Sequence, residues 1–312
     1  MEYGFHLAVS GPSARPEHLI NFARRGEELG FFCVAVADHI VIPGKIVSRY
    51  PYTASGEYPG AGDPLEQLTA LSFIAGVTRH IRLVASVMVT PYRNPVIVAK
   101  ILSSLDVLSQ GRVILGLGTG WMREEFDALG LNSFSDRGAV TDEYVRVFKE
   151  LWTSENPTFE GKYCRFSNLT FLPKPFQKPH IPIWIGGHSR RAIRRAAELG
   201  DGWHPIGAIP SVPLEPADLK KSRELLFRYA EAAGRDPAQI KVAFKASFFD
   251  PRSEVFPGRR RRFTGNAEQV AADIRAYGEA GASCLILDVR GDSPVQTLER
   301  MEWVAKEVVP RV

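Results

Sequence analysis

One pattern repeats eight times along this chain: a short run of apolar, mostly β-branched residues, followed by a longer segment whose apolar positions recur at helical spacing. Parallel strands need crossover connections, usually helices, so this alternation predicts an α/β fold with a parallel sheet. Strands are expected at 3–9, 32–37, 81–89, 112–117, 182–186, 202–206, 240–247 and 283–289. Helices are expected at 16–29, 64–78, 95–109, 136–153, 189–199, 214–233, 266–280 and 294–308. Eight such units in 312 residues fit a closed (β/α)8 TIM barrel as a single domain over 1–312. An open doubly wound sheet is the alternative, but its usual six strands would leave two units unexplained.

Local signals punctuate the pattern. Ser135-Asp136, Ser189 and Asn266, the last three residues before Gln269, stand where helix N-caps are needed. Gly30, Gly200, Gly234 and Gly281 stand at helix ends, where a left-handed residue commonly closes the last turn. Three connections exceed ordinary loop length: 38–63, 155–181 and 248–265. The second is expected to hold a small hairpin around Phe159, Tyr163 and Phe166. The first and third follow strands and are therefore insertions at the C-terminal face, where barrel chemistry sits.

Composition narrows the function classes. Lys and Arg exceed Asp and Glu by 39 to 35, a formal charge of +4, too weak for a nucleic-acid protein. Cys33, Cys164 and Cys284 are odd in number and far apart, which argues against a disulfide framework or a thiolate zinc site and for a reducing cytoplasm. No H-E-x-x-H or comparable ligand spacing points to a metal. Neither a signal peptide nor a membrane span is expected.

The chemistry-bearing motifs fall at strand ends. Ile183 to Ser189 run from an apolar strand through Gly186, Gly187 and His188 into a helix, a turn that offers backbone N–H groups to an anion. Arg190, Arg191, Arg194 and Arg195 open that helix, where cations oppose the helix dipole unless an anion is bound. The second strand ends in Asp38-His39, and a rim histidine serves as acid or base near neutral pH. A turn-capping Asp beside a solvated His is the plainer alternative. Gly116-Leu117-Gly118-Thr119-Gly120 has the wrong spacing for a Rossmann fingerprint, and close approach of a flat ring is the expected use of its glycines. His6 lies on the first strand, where it can point into the pocket, His204 lies at the end of the sixth, and Tyr50, Tyr52 and Tyr58 suggest an aromatic lid over an apolar pocket.

Together these segments resemble the luciferase-like monooxygenase superfamily, and within it the coenzyme F420 (deazaflavin)-dependent oxidoreductases. The resemblance spans Val36 to His39, Ser86 to Pro95, Gly116 to Gly130, Pro173-Lys174-Pro175, Ile183 to Ala197 and Gly200 to Trp203. It implies that Asp38 and His39 sit against the deazaflavin ring, with His39 a proton donor or acceptor. Ser86-Val87 would form a non-prolyl cis peptide behind the ring. Thr119 and Gly120 would contact its edge, and Gly186, Gly187 and His188 would bind its phosphate. It also implies hydride transfer to or from a small-molecule substrate, and a homodimer. An FMN-dependent monooxygenase of the same fold and a non-catalytic flavin-binding barrel are the alternatives. The run Gly120, Trp121, Glu125, Phe126 resembles deazaflavin-type members, and Arg259 to Arg262 could meet an oligoglutamate tail, or form a solvated loop.

Overall fold

The structure is a computed structural model and describes residues 1–60, 62–246 and 260–312. Eight parallel strands close into a barrel: β1 (Glu2–Leu7), β2 (Cys33–Val36), β3 (Arg82–Val89), β4 (Val113–Gly118), β5 (Ile183–Gly186), β6 (Gly202–His204), β7 (Lys241–Ala246) and β8 (Cys284–Leu287). Neighbours follow chain order, and β8 closes the ring by pairing with both β1 and β7. That closure excludes the open sheet.

Strands buried on both faces must be apolar at consecutive positions, which explains the unbroken runs in the sequence. Inward residues Cys33, Ala35, Val84, Ile114, Trp184, Ala243, Cys284 and Ile286 fill the barrel. Outward residues such as Val34, Leu83, Leu115, Ile185 and Leu285 pack with Phe22, Leu71, Leu102, Phe148, Ile193 and Ile274 of the surrounding helices. These are α1 (Pro16–Glu28), α2 (Gln67–Val77), α3 (Pro95–Leu108), α4 (Arg123–Ala128), α5 (Arg137–Thr153), α6 (Arg190–Leu199), α7 (Pro216–Ala232), α8 (Ala267–Glu279) and α9 (Pro294–Trp303). No described helix is long and apolar enough to cross a membrane.

Several local expectations are met. Ser189 accepts from the Ala192 N–H, Asn266 and Gln269 form a reciprocal capping box, and Gly30, Gly234 and Gly281 are left-handed. The hairpin pairs Phe159–Glu160 with Arg165–Phe166. Others need correction. Gly200 is extended at φ −91°, and a Cβ there would lie 2.9 Å from Ile185 and 3.1 Å from the Ala196 carbonyl, so tight packing rather than handedness explains it. Asp136 gives no cap because its carboxylate accepts from the Tyr163 hydroxyl and Lys162. Helix α4, six residues long, was too short to show a period in the sequence. Arg260 and Arg262 both pair with buried Asp273 on α8, and Arg262 also meets Glu215, so these two cations serve the fold, while Arg259 lies outside the described residues.

Candidate active site

The adjacent C-terminal ends of β2, β3, β4 and β5 form one continuous rim. In β3 the register against β4 shifts between Ala85 and Met88, and the Ser86–Val87 peptide is cis. The shift turns the half-buried Val87 side chain into the mouth, against three glycines. A Cβ at Gly118 would lie 2.6 Å from Val87 Cγ2, one at Gly186 would lie 2.9 Å from its Cγ1, and one at Gly116 would meet the Ala85 carbonyl at 2.2 Å. Gly116 and Gly118 of β4 and Gly186 of β5 therefore make room for the β3 bulge. Gly120 has φ +83°, and any side chain there would strike Phe126 and Val89 at 2.8 Å. Thr119, beside it, is half-buried at the same rim.

Asp38 and His39 leave β2 together and part in role. Asp38 is buried, and its carboxylate accepts from the Val89 N–H at 2.8 Å and from both Arg93 terminal nitrogens at 2.7 and 2.8 Å. Arg93 also binds Glu66 at 2.6 Å. With these bonds the Asp38 carboxylate ties the end of β2 to the end of β3. His39 instead points its Nδ1 at Glu125 Oε2, 2.7 Å away, with its side chain 12% exposed and that of Glu125 fully buried.

Glu125 is the site residue that sequence reading noted only as part of a motif. Its other donors are the Ile40 N–H at 2.7 Å, the Val41 N–H at 3.3 Å and the Tyr92 hydroxyl at 2.9 Å. Burial pushes the Glu125 carboxyl up, but the hydrogen bonds and charge of His39, with the Ile40 N–H and Tyr92, outweigh it and hold it below the usual carboxylate range. An ionised Glu125 accepts only, so His39 donates to it from Nδ1 and turns Nε2 away from the carboxylate. Such a carboxylate fixes the orientation of the ring and which nitrogen faces the mouth.

The neighbouring Glu124 latches the long first loop. Its Oε1 accepts from the Val47 and Ser48 N–H groups at 2.7 and 2.9 Å. Burial opposes ionisation, but these bonds and its own backbone N–H pull Glu124 down to about 2. The latched loop brings Tyr50 and Tyr58 against Trp121, with the three ring centroids 5.0 to 5.6 Å apart, and sets Tyr58 5.0 Å from the His39 ring. Tyr58 and Trp121 thus lie against His39 with Tyr50 packed on both, while Tyr52, the third loop tyrosine, packs on the core.

At β5 the chain leaves through Gly186-Gly187, with Gly187 at φ +96°. The Trp203 indole donates to the Gly187 carbonyl at 2.7 Å. C=O and N–H point opposite ways in a trans peptide, so the His188 N–H faces away from Trp203, just before the first turn of α6. Gly186, through its contact with Val87, places this turn beside the bulge rather than across the barrel. A glycine cradle at a helix N-terminus next to a small-residue rim fits a phosphate tether and an adjoining flat ring. Of the arginines that follow, Arg195 pairs with Asp142 and Arg194 with Glu198, whereas Arg190 and Arg191 are exposed.

Inside the barrel, His6 and His204 are both buried. Burial lowers His204 to about 4, and its Nε2 lies 3.0 Å from the Ser86 hydroxyl. Among the described residues no three His, Cys, Asp or Glu side chains converge as a metal site would require.

Closed barrel, rim glycines and a carboxylate-held histidine define the class: a (β/α)8 barrel with its site at the C-terminal mouth. The chain belongs to the luciferase-like monooxygenase family, whose sequence profile matches residues 3–254. It is 32% identical over 324 aligned positions to an F420-dependent glucose-6-phosphate dehydrogenase of Intrasporangium calvum, covering 91% of this chain and 92% of that one. It is 32% identical over 164 residues to an FMNH(2)-dependent dimethylsulfone monooxygenase of Pseudomonas putida, covering 52% and 45%. The monooxygenase RslO1 of Streptomyces bottropensis shares the fold, with a TM-score of 0.79 over 99% of both chains at 23% identity.

Proposed function

We propose that this protein is an oxidoreductase that binds coenzyme F420 and exchanges hydride between it and a small organic substrate. The observation that carries the reading is His39, held through Nδ1 by buried Glu125 beside the Val87 bulge and beneath the Tyr50, Tyr58 and Trp121 lid. The N–H groups of Gly187 and His188, after Gly186, take the phosphate. Ser86, Val87, Thr119 and Gly120 seat the ring. Asp38, whose carboxylate is occupied by Arg93 and Val89, positions that seat.

The bound deazaflavin would supply a two-electron hydride carrier. The protein supplies the proton path: an alcohol substrate that loses a hydride from its carbinol carbon passes its hydroxyl proton to His39 Nε2 as the carbonyl forms, and the reverse direction returns it. The lid excludes water from that exchange. The similarity over 91% of the chain to an F420-dependent dehydrogenase favours this cofactor. FMN is the second reading, favoured by the FMNH(2)-dependent relative over the shorter span.

Fluorescence titration of the purified chain with F420 and with FMN, followed by oxygen uptake with reduced FMN, tests the choice. Tighter binding of F420 without oxygen uptake supports the proposal, and FMN-dependent oxygen uptake replaces it with the second reading. We further place the protein in the cytoplasm, consistent with three free cysteines, and propose a homodimer. Support for the dimer comes from α2 and α3, which leave Phe73, Ile97, Ile101 and Leu108 exposed. Light scattering that returns the 34.6 kDa monomer mass would overturn it.

A further inference from the structure

A lysine lies where a barrel core needs none. Lys245, on β7, is half-buried with its side chain turned into the barrel, and its Nζ reaches the Ser86 carbonyl at 3.3 Å, the Ser86 hydroxyl at 3.3 Å and His6 Nδ1 at 3.4 Å. These contacts are long for charge-assisted hydrogen bonds, so they return little of the solvation that the ammonium loses on burial. A methionine would fill the same space without that loss. The groups facing Lys245 leave its charge in place. His6 is held well below its ordinary value, first by burial and then by Lys245 and Arg290, and is neutral at pH 7. His204 is neutral as well, and Asp288 is paired with Arg290 through a 2.6 Å bond. Burial lowers Lys245 to about 8, with Arg290 adding to it and Asp288 opposing it, so the ammonium is predominantly protonated at pH 7.

The carbonyl that Lys245 holds belongs to the cis peptide Ser86–Val87, the bulge whose valine faces the mouth. Ser86 is gripped twice from the far half of the barrel, by Lys245 at its carbonyl and hydroxyl and by His204 at its hydroxyl. One peptide group therefore separates a half-buried positive charge from the surface on which the proposed ring rests. A ring that accepts a hydride, one nucleus with two electrons, gains one negative charge.

We propose that Lys245 is a positioning residue that sets the electrostatics of the ring site, steadying the Ser86–Val87 peptide and favouring the reduced, more negative form of a bound cofactor. This inference rests on the proposal that the site holds a redox ring. It assigns the lysine no contact with substrate.

The test compares dissociation constants for oxidised and reduced cofactor, measured anaerobically at pH 7 with F420 and with FMN as probes. In Lys245→Met the preference for the reduced form should fall about tenfold relative to the wild-type protein, equivalent to about 30 mV in a two-electron potential. Lys245→Arg, which keeps the charge, should retain the preference. Lys245→Gln, which keeps a donor toward the Ser86 carbonyl but no charge, should lose it as Met does, and it makes the comparison if the Met variant fails to fold. Equal weakening of both redox forms would reduce Lys245 to a structural prop and overturn the inference, as would an unmoved ratio in the uncharged variants. A wild-type protein that binds neither form of either cofactor would overturn the proposed function beneath it, an outcome distinct from binding with an unmoved ratio.

Discussion

Replacing Asp38 by Asn should injure stability far more than chemistry. The Asp38 side chain is fully buried, the Arg93 side chain is 13% exposed, and three N–H bonds converge on the carboxylate. Asparagine offers one acceptor oxygen in its place and turns an NH2 toward the guanidinium, donor against donor. Removing one partner of a buried pair costs about 3–5 kcal/mol. The lower end applies because Glu66 still neutralises Arg93. At about 2.1 cal/mol/K of unfolding entropy per residue, 312 residues give roughly 0.65 kcal/mol/K, so about 3 kcal/mol lowers Tm by roughly 5 °C. The assay is calorimetry with urea unfolding followed by tryptophan fluorescence. The double variant Asp38→Asn, Arg93→Met should recover part of the loss, because the stranded cation is gone. An Asp38→Asn protein of unchanged stability whose turnover is abolished would refute this reasoning and return Asp38 to the chemistry.

Three further outcomes follow from the same geometry. Glu125→Gln should leave cofactor affinity within about threefold yet lower kcat by about 10²–10⁴, because the amide N–H faces His39 Nδ1 and moves the ring proton to Nε2; steady-state kinetics beside a binding titration separates the two. Gly187→Ala places a side chain at φ +96° and 3.3 Å from Ala192, and should weaken phosphate-bearing cofactor about tenfold, or about 1.4 kcal/mol, measured by fluorescence titration. Glu124 is depressed to about 2 in the folded protein, so its latch contributes fully above the ordinary value near 4.5 and is lost as pH falls toward 2. Limited proteolysis between Val47 and Glu57 should therefore hold steady from pH 8 to 5 and accelerate below about 4, whereas Glu124→Gln should be cut faster throughout.

The barrel was legible because its signal is periodic and redundant: eight apolar runs, each buried on both faces, with helices between them. The rim motifs were legible because glycines and an Asp-His step at strand ends are rare without a local reason. What escaped was every pairing across the chain. Glu125 stands 86 residues from His39, and nothing in either neighbourhood states that they touch. Asp38 stands next to His39 in the sequence, yet its carboxylate went to Arg93, 55 residues away. Lys245 drew no notice inside an apolar strand, since only closure of the barrel sets it under Ser86. The arginine run misled in the opposite sense: buried Asp273, on the following helix, takes two of its members.

The measurement that tests the central claim most directly is a crystal structure of the protein grown with F420. The account predicts phosphate oxygens on the Gly187 and His188 N–H groups and a ring lying on Val87 within proton-transfer reach of His39 Nε2. Phosphate held instead by the exposed Arg190 and Arg191, or at the turns after β7 and β8, would contradict it, as would a ring seated away from His39.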